Sequence, residues 1–73
     1  LKYKELFATQ EEAVKTYNRY MSHLYAQGVP VRQVRDADSL RILRGYGNGI
    51  EADITVMPTD NKYLLDAELM VIY

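Results

Sequence analysis

The clearest pattern in the chain is an apolar stripe with three- and four-residue spacing in residues 10–27, which predicts an amphipathic helix. Thr9 and Glu12 have the spacing of a capping box, in which each side chain satisfies a free backbone N–H of the first turn. Gly28 is placed to follow the helix end, and Pro30 prevents the helix from continuing. The stripe consists of Ala13, Val14, Tyr17, Tyr20, Met21, Leu24 and Tyr25.

Outside this helix, alternation of polar and apolar residues predicts strands. Residues 2–8 precede the helix and residues 29–35 follow it, which indicates a β-α-β unit. Residues 40–44 also alternate, although their flanking residues are compatible with a short helix. The sequence Asp60-Asn61 after Pro58 predicts a hairpin turn.

The apolar pattern predicts the register of this hairpin. If Met57 faces Lys62, the apolar residues of the two strands share one face, whereas a one-residue slip would mix them with carboxylates. The apolar residues are Ile50, Ala52, Ile54 and Val56 on one strand and Leu69, Ala67, Leu65 and Tyr63 on the other.

The glycine-rich run in residues 45–49 is expected to form another hairpin connection, with Gly and Asn supplying positive φ angles. It opens no helix and has no following Lys-Ser or Lys-Thr, which excludes a P-loop. If Arg44 faces Ile50 across this connection, Leu40 and Ile42 join the same apolar face. This fit favours a strand for residues 40–44.

These elements predict an α+β fold in which one long amphipathic helix packs on one face of a mostly antiparallel sheet, approximately β-α-β-β-β-β. The 73 residues, 48% hydrophobic and 26% charged, are expected to form a single small α+β domain, residues 1–73. There is no cysteine, so disulfides and thiolate sites are excluded, and we expect a cytoplasmic location and no membrane contact. The first residue is Leu1, so a piece of a longer protein is an alternative.

The predicted register places four carboxylates on the other face of the sheet. Arg41 is expected in one row with Asp53 and Asp66, and Leu43 in the next row with Glu51 and Glu68. Facing carboxylates need neutralisation. We expect arginines to provide it and no metal site, because the spacing of these acids arises in any alternating strand; a divalent cation or a basic partner is the alternative.

The same face is predicted to carry Met57, Leu64, Met70 and Ile72. Residues 69–73 are apolar on both sides of their strand, a pattern typical of strands that are covered on both faces. One helix covers only one face, so the sequence predicts self-association or a protein partner at this strand.

Catalytic chemistry has little support in the sequence. His23 is the only histidine and lies on the polar side of the predicted helix. No serine has the context of a catalytic nucleophile. We therefore expect a non-enzymatic protein without catalytic residues or cofactors.

The leading hypothesis is a protein–protein adaptor or inhibitor that is a homodimer through the exposed sheet face and the C-terminal strand. Acidic residues are expected to steer a basic partner, while apolar residues provide affinity. The candidate contacts are Glu51, Asp53, Met57, Leu64, Asp66, Glu68, Met70 and Ile72.

The alternative hypothesis is a nucleic-acid-binding protein. Residues 1–44 carry a net charge of +3 and residues 45–73 a net charge of −4, so basic side chains are concentrated in the first part. The candidate contacts are Arg32, Arg35, Arg41 and Arg44, with Tyr46 exposed at the tip of the glycine-rich turn. The overall pI of about 5.7 argues against this hypothesis, since nucleic-acid-binding domains are usually basic.

Overall fold

The computed structural model describes residues 1–72, which contain one helix and five strands. Their order confirms the predicted α+β class. The elements are β1 (Lys2–Phe7), α1 (Gln10–Ala26), β2 (Val31–Ala37), β3 (Leu40–Gly47), β4 (Ile50–Thr59) and β5 (Lys62–Val71).

The strands form one antiparallel sheet in the order β1-β5-β4-β3-β2. Strands β2 to β5 are joined by consecutive hairpins, and β1 pairs with β5. The first and second strands therefore lie at opposite edges, and α1 crosses the sheet between them. The two strands of the predicted β-α-β unit, β1 and β2, are therefore not neighbours, because β3, β4 and β5 lie between them.

Helix α1 begins after Thr9 as predicted, but only half of the predicted capping box forms, because the Glu12 carboxylate bonds to the Thr9 hydroxyl and not to the Thr9 backbone N–H. The side chain of Thr9 accepts a hydrogen bond from the backbone N–H of Glu12 at 3.3 Å, and its hydroxyl donates to the Glu12 carboxylate at 3.0 Å. Tyr25, predicted in the apolar stripe, is instead 55% exposed, although its hydroxyl donates to the carbonyl of Val31 at 2.6 Å. The helix side of the sheet, here called the helix face, contains the core: Ala13, Tyr17 and Leu24 of the helix and Ala52, Ile54, Val56, Leu65 and Ala67 of the sheet, among others.

The β4–β5 hairpin has a different register from the predicted one. Its turn contains only Asp60-Asn61, so Thr59 rather than Met57 faces Lys62. Asp60 takes a positive φ of 55°, which aspartate tolerates and which suits a two-residue hairpin turn. The register differs by two residues, so the apolar residues keep their face because side chains alternate with a period of two.

The β3–β4 hairpin differs by an odd number of residues, which reverses the faces of β3. Its turn is Asn48-Gly49, with φ angles of 55° and 77°, and Gly47 faces Ile50. Leu43 consequently lies on the helix face, where it is only 1% exposed. The prediction that Leu40 and Ile42 join the apolar face was therefore wrong, as was the placement of Arg41 and Leu43 on the opposite face.

The reason lies in the two glycines that β3 contributes to the helix face. A Cβ atom on Gly45 would lie 2.3 Å from Val31 Cγ1 and 2.6 Å from the Pro30 carbonyl oxygen. A Cβ atom on Gly47 would lie 2.6 Å from the Gly28 carbonyl oxygen. The connection from α1 to β2 thus lies directly against β3, and only glycine leaves room for it. Most of the glycine-rich run is therefore strand.

We expect Gly45→Ala to lower the free energy of unfolding by about 2 kcal/mol, because the added methyl group would overlap Val31 and the Pro30 backbone. Chemical denaturation of the purified chain measures this change. Tyr46→Ala, on the opposite face of the same strand, is the control and should lower it by less than about 1 kcal/mol. Equal stability of Gly45→Ala and the wild type would contradict the close approach.

Candidate functional site

The side of the sheet opposite α1, here called the open face, is uncovered by any element within residues 1–72. The strand register arranges its side chains in rows that run across the sheet from β1 to β2. Three such rows contain most of the candidate residues. They differ in chemical character.

The charged row has two acids at its centre with cations on both sides. Asp53 and Glu68 face each other directly at its centre, 47% and 40% exposed, and their like charges repel. Arg44 Nε lies 3.5 Å from Asp53 Oδ2 on one side, and Lys2 Nζ lies 3.7 Å from Glu68 Oε2 on the other. In strand order the charged row is Lys2, Glu68, Asp53, Arg44 and Arg32.

The second row follows toward the Asp60-Asn61 turn. Asp66 has Lys4 on one side and Thr55 on the other, and Arg35 lies at the far edge. Ile42 completes this row. Three open-face carboxylates and Thr55 border a depression of about 160 Å³. Within residues 1–72, no group of three or more His, Asp or Glu side chains is arranged to hold a metal ion.

The third row, here called the apolar row, lies next toward the Asp60-Asn61 turn. Leu6 and Met57, which are 54% and 40% exposed, both face Leu64 from its two neighbouring strands. Leu40 faces Ala37 and precedes Arg41, which pairs with Val56, so it lies beside Met57. In strand order the apolar row is Leu6, Leu64, Met57, Leu40 and Ala37.

Leu6 and Leu40 were not among the sequence-based candidates. The pairing of β1 with β5 places Leu6 on the open face, and the register of β3 places Leu40 there, because side chains alternate between the two faces along a strand. Neither the pairing nor the register could be read from the sequence. The candidate set itself lies mostly on β4 and β5: Glu51, Asp53, Met57, Leu64, Asp66, Glu68 and Met70 point to the open face. Ile72 follows β5, is half-buried and donates its backbone N–H to the Gly49 carbonyl at 2.7 Å. Tyr73, the end of the predicted apolar run, lies outside the described residues.

The predicted rows of carboxylates were wrong in detail. Asp53 faces Glu68, Asp66 faces Thr55, and Glu51 lies between Met70 and Tyr46. Neutralising cations come from Lys2 and Arg44. Arg41 is on the helix face, where its guanidinium bonds to Asp36 at 2.5 Å and to Asp38 at 3.2 Å.

The structure brings only part of the basic alternative site together. Arg32, Arg35 and Arg44 lie on neighbouring strands of the open face, whereas Arg41 faces the helix side. Tyr46 is exposed as predicted, but in β3 and not at the tip of a turn. A shallow cavity of about 690 Å³ is bordered by Arg32, Arg44 and Tyr46, and also by Glu51 and Asp53. Acidic groups are therefore mixed into the basic region.

On the helix face, Tyr17 is 1% exposed and lies near the ion pair of Arg41 with Asp36. Burial raises the pKa of Tyr17 above its ordinary value of 10.0, and the negative charge of Asp36 raises it further, while Arg41 opposes this shift. Among residues 1–72, no group forms a hydrogen bond with the Tyr17 hydroxyl or with Arg41 Nε.

His23 lies elsewhere, on the exposed side of α1, beside a groove of about 530 Å³ between the helix and β1. Tyr3, in the same groove, donates a hydrogen bond to the Glu5 carboxylate, which raises the pKa of Tyr3. This groove lies on the other side of the sheet from the open-face rows, since Tyr3 and Glu5 point to the helix face.

Comparisons with protein-family models, curated proteins and solved structures find no match to this chain. Within residues 1–72, no helix has the length and apolar character needed to cross a membrane.

We expect Tyr17→Phe to reduce the loss of stability at alkaline pH. A raised pKa in the folded state means that the unfolded chain releases its proton first, so the Tyr17 contribution is present below pH 10 and is lost as pH rises above it. Thermal unfolding followed between neutral and strongly alkaline pH should show a shallower decline for Tyr17→Phe than for the wild type. Tyr46→Phe, which removes an exposed hydroxyl, is the control, and identical profiles for all three chains would contradict this assignment.

Proposed function

We propose that this chain is a non-enzymatic protein-binding module, of the adaptor or inhibitor type, that docks a protein chain on its open face. The observation that carries this proposal is the apolar row, which crosses all five strands and is left in contact with solvent. Partly exposed Leu and Met side chains in a continuous row are typical of interaction surfaces, whereas isolated exposed apolar residues are common everywhere.

The charged groups beside the apolar row support the same function. Asp53, Asp66 and Glu68 form a negative strip on the two neighbouring strands β4 and β5. Such a strip attracts a basic surface and restricts the orientation of docking, while burial of the apolar row contributes most of the affinity. The partner in this proposal is a second copy of the chain or another protein.

The geometry of the acidic groups gives little support to catalysis. Asp53 and Glu68 are partly exposed and are each next to a cation. General acid–base work by a carboxyl group usually depends on desolvation in a shielded site, and an uncovered sheet face does not provide such a site. We therefore propose a binding function without chemical conversion.

We expect Asp53→Lys and Asp66→Lys, tested separately, to reduce capture of the partner at least about tenfold, because each reverses a charge of the negative strip. Each immobilised variant is compared with the wild type by quantitative mass spectrometry of the retained proteins. Glu11→Lys, an equal charge reversal on the exposed side of α1, is the matched control and should retain the same proteins as the wild type.

Circular dichroism of every variant must match that of the wild type for the comparison to count. If all three variants retain the same proteins, further copies of this chain included, in the same amounts as the wild type, docking on the open face is contradicted.

A second candidate function is nucleic-acid binding, favoured by the proximity of Arg32, Arg35, Arg44 and Tyr46 on the open face. It predicts affinity that falls steeply with salt, because binding to phosphates releases counterions. The charge arrangement weighs against it, since Arg44 is paired with Asp53 and Glu51 lies beside Tyr46.

We expect labelled single- and double-stranded oligonucleotides to show no binding at low salt in fluorescence anisotropy. Binding that disappears on addition of salt, and that Arg35→Gln weakens, would instead favour the nucleic-acid function over protein docking.

A further inference from the structure

We propose that the occupant of the open face is a second copy of this chain. The two copies pack open face to open face around a two-fold axis that runs along the strands, between β3 and β4. This inference rests on the proposed protein-docking function and identifies its partner. It follows from the distribution of charge over the face.

The sign of the charge on the open face depends on the strand. Over the charged row and the second row, β1 contributes Lys2 and Lys4, which are positive. β5 and β4 contribute Asp66, Glu68 and Asp53, which are negative. β3 and β2 contribute Arg44, Arg32 and Arg35, which are again positive. Within these two rows each strand therefore carries one sign of charge, and the sign changes only from strand to strand.

This distribution excludes most two-fold arrangements. An axis in the plane of the interface and perpendicular to the strands would place every strand over its own copy, so that like charges would meet throughout. An axis along β4 would place Asp53 over Asp53 of the second copy, and an axis between β4 and β5 would place it over Glu68. An axis along β3 would superimpose two copies of Arg44, and an axis between β1 and β5 would overlap only two strands.

The axis between β3 and β4 is the arrangement that pairs opposite charges over a large area. It places β4 over β3 of the second copy and β5 over its β2, while positions along the strands are kept. Asp53 then faces Arg44 of the second copy, and Glu68 faces Arg32 of the second copy. Asp66 faces Arg35 of the second copy. Each contact occurs twice, as in any isologous interface.

The apolar row fits the same axis. Met57 of one copy lies over Leu40 of the other, and Leu64 lies over Ala37, so that within this row apolar side chains meet apolar side chains. Aligned sheets normally keep their strand directions within about 30° of each other. The two apolar rows therefore stay in contact near the axis. The repulsion between Asp53 and Glu68 is also relieved, because each acid gains an arginine from the other copy.

The area available is sufficient for such a dimer. Four overlapping strands, each about 4.8 Å wide, give a width of about 19 Å. Four rows, from that of Tyr46 to that of Leu40, each take up two residues or about 6.8 Å and give a length of about 27 Å. The footprint is therefore about 500 Å² per copy. The two copies together bury about 1,000 Å², which is near the lower limit for a specific interface.

Charge exchange between copies tests this pairing. We expect the wild type to be a dimer in sedimentation velocity, and Asp66→Lys and Arg35→Glu each to weaken dimerisation at least about tenfold, since each places like charges together twice. An equimolar mixture of the two variants should restore the dimer, because the introduced lysine then faces the introduced glutamate. Asp66 and Arg35 form no ion pair within residues 1–72, so each variant is expected to remain folded.

The matched control pair is Glu11→Lys and Arg19→Glu on the exposed side of α1, and neither variant should change the dimer. As a second measurement, Asp53→Lys and Arg44→Glu are mixed in the same way. Rescue in that mixture can only come from contacts between copies, because each chain keeps its own mismatch with its strand neighbour.

A wild-type chain that is monomeric at millimolar concentration would overturn the dimer. Protein docking would still stand if Asp66→Lys abolished capture of a different protein, and would fail with it if capture were unchanged. A wild-type dimer that is insensitive to these charge changes, or a mixture that does not restore it, would overturn the proposed axis.

Discussion

The structure depends on the close approach of the α1–β2 connection to strand β3. This connection crosses the helix face at positions where β3 has glycine, and a side chain at Gly45 or Gly47 would overlap it. The contact fixes which residues of β3 point toward the helix. Leu43 is consequently in the core, and Arg44 is on the open face beside Asp53. A slip of one residue would exchange these two environments, burying a charge and exposing a leucine.

The same constraint determines the electrostatics of the open face. Because β3 presents Arg44 on the open face, the central carboxylates have a cation on each neighbouring strand: Lys2 on β1 and Arg44 on β3. Exposed ion pairs of this kind contribute little to stability. Their significance is the pattern they create: within the charged row and the second row each strand has one sign of charge, and the sign changes between β1 and β5 and again between β4 and β3. A pattern of this kind can be complementary to itself, which underlies the proposed dimer.

A single helix explains why the open face is left uncovered. α1 spans the sheet between its two edge strands, and small residues such as Ala13, Ala52 and Ala67 let it approach closely, so one layer completes the core. A second layer has no source within residues 1–72. The apolar row on the other face therefore adds nothing to the core of the single chain, and its burial becomes available to a partner.

The sequence by itself determined the helix, the two-layer α+β class and the common face of the apolar residues in β4 and β5. These depend on local capping and on alternation, and alternation is unaffected by a register change of two residues, such as the one between the predicted and observed hairpins. It also located most of the candidate site, because acids and methionines alternate with core residues. Only the tertiary structure decided the faces of β3, since the role of Gly45 and Gly47 depends on a chain segment distant in sequence. It also decided that Leu6 and Leu40 join the apolar row, because the placement of β1 beside β5 and the turn at Asn48-Gly49 are properties of the assembled sheet.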